Sequence, residues 1–272
     1  LVSGTSKHVA QVVENGVIPS FISVLESPHN ELVDQAIWGL ANIAGDSASF
    51  RDLIIQYGAV ESMVKVLEET TKTTIKRNGT WTLSNICRGK PAPAYVGIAR
   101  IVPLFCKLLK YEQDQEVLTD AAWGLSHCTA SDEGINDVLS NNVAPRLVEL
   151  LSNPSLSIIT PSLRTVGNII AGPDEQTTQL LKEKDLLPNL LALLDNQKKI
   201  IRKETLWILS NITAGSPVQF ESIMGNNAFV EKIIHSAKMD SEDVKREAAF
   251  VLSNSTSECT PAQIIRVLNN GV

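Results

Sequence analysis

The sequence predicts an all-α fold, a right-handed superhelical solenoid built from three-helix units, and two recurring landmarks carry that expectation. The first is a phrase that appears six times: QAIWGLANIAG, NGTWTLSNICR, DAAWGLSHCTA, PSLRTVGNIIA, ETLWILSNITA and EAAFVLSNSTS. Its fourth positions are Trp38, Trp81, Trp123, Arg164, Trp207 and Phe250, at intervals of 43, 42, 41, 43 and 43 residues. The second landmark, an apolar pair usually followed by proline, keeps step at Pro19, Pro103, Pro145 and Pro188. A unit of this length cannot bury its apolar face alone, so successive units must stack and share a continuous core.

The second unit shows the helices most plainly. A first helix runs from about Ala48 to Tyr57 and is closed by Gly58. The stretch AVESMVKVLEE follows, with apolar residues three and four apart, as a half-buried helix requires. A longer third helix spans about Thr73 to Cys87. Asn15-Gly16, Gly58, Asn141-Asn142 and Asn226-Asn227 read as C-terminal stop signals between helices. The basic run Lys198, Lys199, Arg202, Lys203 reads as the solvated start of a third helix. No strand-like alternation of useful length occurs. The units fall at about 1–45, 46–88, 89–130, 131–172, 173–215 and 216–257, with a partial seventh at 258–272, in a single domain 1–272. Three helices on a period near 42 form the armadillo pattern; HEAT repeats are similar in length and usually have two helices. The chain has no initiating Met, ends on Asn-Asn-Gly-Val and has no polar cap at either end, so it is expected to be an excerpt of a longer protein.

Composition narrows the function classes. Of 272 residues, 43% are apolar and 20% charged, enough for a sizeable core. The net charge of −6 gives no support to nucleic-acid or anionic-membrane binding and suits a basic partner. The four cysteines, Cys87, Cys106, Cys128 and Cys259, form no CxxC pair and have no histidine at metal-ligand spacing; buried, inert thiols are expected. Sequons occur at Asn78, Asn211 and Asn254, but these asparagines have a better use below. There is no signal peptide or long apolar span, and no GxSxG, HExxH, Walker loop or GxGxxG. No enzyme, cofactor or metal site is expected.

Within the repeated phrase, Trp and Asn are four residues apart and therefore lie one turn apart on one helix face. Asn42, Asn85, Asn168, Asn211 and Asn254 occupy that rung, and His127 takes the place of one. Gln35, Asn78, Asp120, Glu204 and Glu247 stand three residues before the ring positions. Burying so many amides without partners would cost about 1–3 kcal/mol each, so the ladder is expected to line a half-exposed groove. Amides there can bond a peptide backbone and hold it extended. The indoles are expected to leave slots between them for Lys or Arg stems, with cation–π attraction of about 0.5–2 kcal/mol. The carboxylates Asp34, Asp46, Asp120, Glu204 and Glu247 would meet the charged heads for about 0.2–1 kcal/mol each.

These residues resemble the armadillo domain of the importin alpha (karyopherin alpha) family. QAIWGLANIAGDSASFRDL, TWTLSNICR, RTVGNIIAGPDEQT and ETLWILSNITAG carry the likeness, as does Arg164 where that family interrupts its Trp row. The resemblance implies an adaptor that binds basic nuclear localisation signals of cargo and shuttles between cytoplasm and nucleus. It implies a major site formed by Gly4, Asp34, Trp38, Asn42, Asp46, Trp81, Asn85, Asp120 and Trp123. A minor site would comprise Arg164, Asn168, Thr177, Glu204, Trp207, Asn211, Glu247, Phe250 and Asn254. Asp46 would pair with the key lysine beside the Gly4 carbonyl, while Val9 stands where the family has a Thr hydroxyl. Phe250 replaces the usual Trp. Arg164 is expected to repel basic residues and keep the sites distinct. Importin beta would be recruited in the full-length protein through a basic segment absent from this chain. The competing reading is another armadillo scaffold, a catenin-like adhesion or signalling adaptor; the acidic ladder opposes it.

Overall fold

The computed structural model describes residues 4–257. The expected partial repeat 258–272 and Cys259 lie outside the described residues. Every regular element among the described residues is helical, and the chain divides between Val143 and Ala144 into two compact units.

In the first unit, α1 (Ser6–Glu14), α2 (Val17–Val24) and α3 (Asn30–Asp46) form one repeat. The next is α4 (Ala48–Gln56), α5 (Ala59–Glu69) and α6 (Thr73–Cys87), with the boundaries that its periodicity predicts. Gly58, at φ 79°, supplies the left-handed residue needed to turn from α4 into α5. A third repeat carries α7 (Ile101–Tyr111) and α8 (Gln115–Cys128), followed by α9 (Asp132–Ser140). The long third helices lie side by side, α3 against α6 and α6 against α8. Ile37, Leu40 and Ile43 of α3, Leu83 and Ile86 of α6, and Ala121 and Leu125 of α8 are fully buried between the layers.

The third repeat departs from the expected three helices. Where its first helix should stand, the chain runs as a loop through GKPAPAYVG, with only a 3₁₀ turn at Tyr95–Gly97. Pro91 and Pro93 lack the N–H that a helix interior needs, and each biases its predecessor away from helical dihedrals. Arg51 of α4 fills the resulting gap. It is 1% exposed, and its Nη1 donates to the Arg88 carbonyl at 3.1 Å and to the Pro91 carbonyl at 2.8 Å.

The second unit has α10 (Ala144–Leu150) and α11 (Leu156–Ile170), then α12 (Asp174–Leu181), α13 (Leu186–Leu193) and α14 (Lys199–Thr213), then α15 (Pro217–Met224), α16 (Asn227–Met239) and α17 (Glu242–Ser257). Here α14 lies between α11 and α17. Asn226-Asn227, expected as a stop, is a start: the Asn226 side chain accepts the Ala228 N–H at 3.0 Å and caps α16. Lys198 and Lys199 do begin a third helix, and Arg202 reaches the next repeat through Asp240 at 2.6 Å. The equivalent bridges in the first unit are Lys76–Glu112 at 2.9 Å and Arg77–Asp114 at 2.7 Å.

No helix among the described residues is long and apolar enough to cross a membrane, and no group of three or more His, Cys, Asp or Glu side chains is arranged to hold a metal ion. Cys87, Cys106 and Cys128 are buried and free; burial pushes the Cys106 thiol up to about 12.

Candidate functional site

The apolar stripe of each third helix fixes which way the repeated phrase points. With Ile37, Leu40 and Ile43 inward, Trp38, Asn42 and Asp46 come round to one solvent-facing strip of α3. Trp81 and Asn85 occupy that strip on α6, and Trp123 and His127 on α8. The rings are not sealed in the core: Trp38 is 45% and Trp123 36% exposed.

Two details differ from the sequence-based picture. The Trp38 and Trp81 centroids are 5.5 Å apart with planes tilted by 34°. An alkyl stem between facing rings needs a gap of about 7 Å, two van der Waals contacts. The slot expected between this pair is therefore closed, because the two indoles bury apolar surface on each other. Asp34, expected to meet a ligand cation, accepts a hydrogen bond from the Asn78 amide at 2.8 Å on one of its two oxygens.

The amides are partly committed. Asn42 donates back to the Trp38 carbonyl at 3.1 Å, leaving its Oδ1 and one N–H. Asn85 makes no side-chain hydrogen bond among the described residues. Beside it opens a cavity of about 460 Å³ lined by Gly4, Val9, Ala41, Asn42, Gly45, Asp46, Trp81, Asn85 and Arg88. Asp46 is the last residue of α3, where the helix carbonyls already concentrate negative charge, so its unpaired carboxylate favours a cation. Arg88 was not singled out from the sequence. The signal was there: among the six repeated phrases, only NGTWTLSNICR ends in Arg.

Further along the first unit, burial pushes the Asp120 carboxyl up to about 6, with the Glu116 charge adding to it. His127 stacks on Trp123 with centroids 6.0 Å apart and planes 25° apart, and burial together with the Arg88 charge lowers its pKa.

In the second unit, Arg164 is not a free repelling charge. Its Nη2 donates to Glu204 Oε2 at 2.8 Å, and its guanidinium carbon sits 5.7 Å from the centroid of the Trp207 ring. Gly167 makes the ring position possible, since a Cβ there would come within 2.3 Å of the indole. A carboxylate and a ring face expected for the ligand are thus taken by Arg164, while burial still leaves the Glu204 carboxyl raised overall. Asn168 is half-buried one turn after Arg164 on α11. Asn211 donates to the Trp207 carbonyl at 3.0 Å; Asn254 crosses to α14, donating to the Ser210 carbonyl at 2.8 Å and to Thr213 Oγ1 at 3.2 Å. Thr177 lies inside the wall, 2% exposed, with its hydroxyl donated to the Ile170 carbonyl at 3.0 Å. Phe250 is 53% exposed, and among the described residues the cationic partner of Glu247 is the adjacent Arg246 at 4.0 Å.

Comparison with known proteins gives a consistent result. The armadillo/beta-catenin-like repeat profile matches residues 5–45, 47–88, 90–130 and 131–171. Importin subunit alpha-1b of Oryza sativa subsp. japonica is 43% identical over 187 residues, covering 68% of this chain and 35% of that protein. Importin subunit alpha-3 of Arabidopsis thaliana is 41% identical over 187 residues, with the same coverage of 68% and 35%. Importin subunit alpha-B of Dictyostelium discoideum is 41% identical over 175 residues, covering 63% of this chain and 34% of its own length. The chain thus spans about a third of the length of these relatives. Among solved structures, an engineered protein superposes with a TM-score of 0.88 at 25% identity, over 99% of this chain and 65% of that one. A designed armadillo repeat protein in complex with peptide (KR)4 gives 0.79 at 22% identity, over 87% and 98%, a likeness of fold alone.

Proposed function

Since the chain belongs to the armadillo/beta-catenin-like repeat family, we propose that it binds extended Lys/Arg-rich peptides along its third helices and acts as a nuclear import adaptor for cargo carrying basic localisation signals. The observation that carries this reading is the cavity where Asp46, Asn42, Asn85 and Trp81 converge. It offers an unpaired carboxylate for a lysine or arginine head, amides for the peptide backbone and a ring face for the alkyl stem. Such a combination suits a cationic strand. The likeness to importin alpha of rice, Arabidopsis and Dictyostelium supports the same reading.

Two binding surfaces follow. The major one lies in the first unit, around Trp38, Trp81, Asp46 and Asp120. The minor one lies in the second unit, around Trp207, Asn211, Glu247, Phe250 and Asn254, with Arg164 and Glu204 at one side. Each exposed ion pair contributes only about 0.2–1 kcal/mol, so several contacts must act together. In the whole protein, recruitment of importin beta and shuttling between cytoplasm and nucleus complete the role.

The test is calorimetric titration with a peptide carrying two basic clusters. Asp46→Lys and Glu247→Lys should each weaken binding at least tenfold, and the pair together should abolish it. Equal affinity for an acidic peptide of the same length, or indifference to both substitutions, would refute the proposal.

A further inference from the structure

Asp46 and Arg88 line the same cavity, and neither carries an ion pair among the described residues. Opposite charges facing one space usually find each other, so two that stay apart leave that space with a negative and a positive end. The positive end is reinforced. A second cavity of about 120 Å³ shares Gly45, Asn85 and Arg88 with the first and adds Lys90 to its lining. Lys90 is exposed and likewise has no ion pair among the described residues.

The backbone around Arg88 is held in place while its guanidinium is not. Its N–H donates to the Asn85 carbonyl at 3.2 Å, and its carbonyl accepts from the buried Arg51 at 3.1 Å. Its side chain therefore stands on a fixed base at the C-terminal end of α6, where a cation is also favoured by the helix dipole. The Asp46 carboxylate stands at the matching end of α3. Val9, buried in the cavity wall, brings no polar group to compete with either charge.

We propose that this is a two-sign pocket, reading a Lys or Arg side chain on Asp46 and, from a nearby residue of the same ligand, a carboxylate or phosphoryl group on Arg88 and Lys90. The inference rests on the peptide-groove reading and narrows its ligand class: the preferred peptide is not uniformly basic but carries one anion close to its anchoring cation. In an extended strand, residues two apart point the same way and lie about 6.6–6.8 Å from each other. An anion two residues from the anchor thus points into the same cavity as the anchor itself. A guanidinium also meets a phosphoryl group with two parallel hydrogen bonds, so phosphorylation beside the basic cluster would strengthen recognition.

The experiment is an affinity scan by fluorescence anisotropy. In a basic parent peptide, the lysine whose loss is masked by Asp46→Asn marks the anchor. Glutamate and phosphoserine are then placed singly at the two positions on either side of it. At one position or more, glutamate should tighten binding about threefold and phosphoserine about tenfold, and Arg88→Gln should remove the gain. Lys90→Gln should remove part of it. If the acidic residues weaken binding at all four positions equally in wild type and Arg88→Gln, the two-sign pocket is wrong and Arg88 merely opposes cations. If no lysine of the parent depends on Asp46, the groove reading and this inference fall together. Unchanged melting curves for the variants keep misfolding out of the comparison.

Discussion

Arg164→Ala asks whether a residue of the chain itself occupies a cation subsite. The guanidinium now takes one face of Trp207 and both oxygens of Glu204. Arg164 is 49% exposed but Glu204 only 12%, so leaving that carboxylate unpaired should cost about 1–2 kcal/mol at neutral pH, too little to unfold the chain. What changes is availability. A ligand lysine or arginine would gain the freed ring face, worth about 0.5–2 kcal/mol, and the freed carboxylate. After the loss of a pre-ordered surface, the net gain should be about 1–2 kcal/mol, or roughly 5- to 30-fold in Kd. The assay is calorimetry with a single-cluster basic peptide in an Asp46→Lys background, which confines the readout to the second unit. The pH dependence has a definite sign. Burial already raises the Glu204 carboxyl, and Arg164 is the main influence lowering it. Without Arg164 the carboxyl rises further, so the gain should be largest at pH 8 and shrink as pH falls and the group takes up a proton. Unchanged or weaker binding at pH 8 would show that Arg164 helps the ligand rather than standing in its place.

Arg51→Met should leave the Arg88 and Pro91 carbonyls without their donor, costing about 2–4 kcal/mol and lowering Tm by about 5–12 °C in scanning calorimetry. Asp120 titrates near 6 against about 3.9 in an unfolded chain, so its ionised form is penalised in the fold. That cost sets in as pH rises through 4 and is complete above 6; Asp120→Asn should therefore stabilise the chain at pH 8 by about 1–2 kcal/mol after solvent screening, and not at pH 4, as read from urea midpoints. Phe250→Trp enlarges an exposed ring into the better cation–π face and should tighten a basic peptide confined to the second unit about two- to fivefold; calorimetry giving an equal Kd would count against a ligand role for that position.

Periodicity made much of the fold legible before any coordinates. In the second repeat the helices α5 and α6 end where their apolar spacing ends, because one face of each must be buried for the repeat to stack. The missing helix at Gly89–Arg100 was also written in the chain, in Pro91 and Pro93, but the regularity of the neighbouring repeats masked it. Asn226 was misread because asparagine suits both ends of a helix, and only the Ala228 N–H decides which. At the site, the rungs themselves were readable from four-residue spacing. Their pairings were not. Arg164 with Glu204 and Asn78 with Asp34 join residues on neighbouring helices, and no single-helix wheel displays them. The contact between Trp38 and Trp81 depends on ring rotation, which spacing leaves open. No spacing in the sequence marks Arg51 as buried; only the loop it props explains why a guanidinium is worth burying there.

That prop has a bearing on how the protein can be cut and recombined. Repeat chains invite module exchange because each segment ordinarily completes itself with one generic neighbour. Here a side chain from the segment ending at Cys87 supplies interior support for the backbone of the segment after it. A chimera joined between them would pair an orphaned loop with a stranger unable to brace it. Grafts should carry 46–130 as one indivisible cassette.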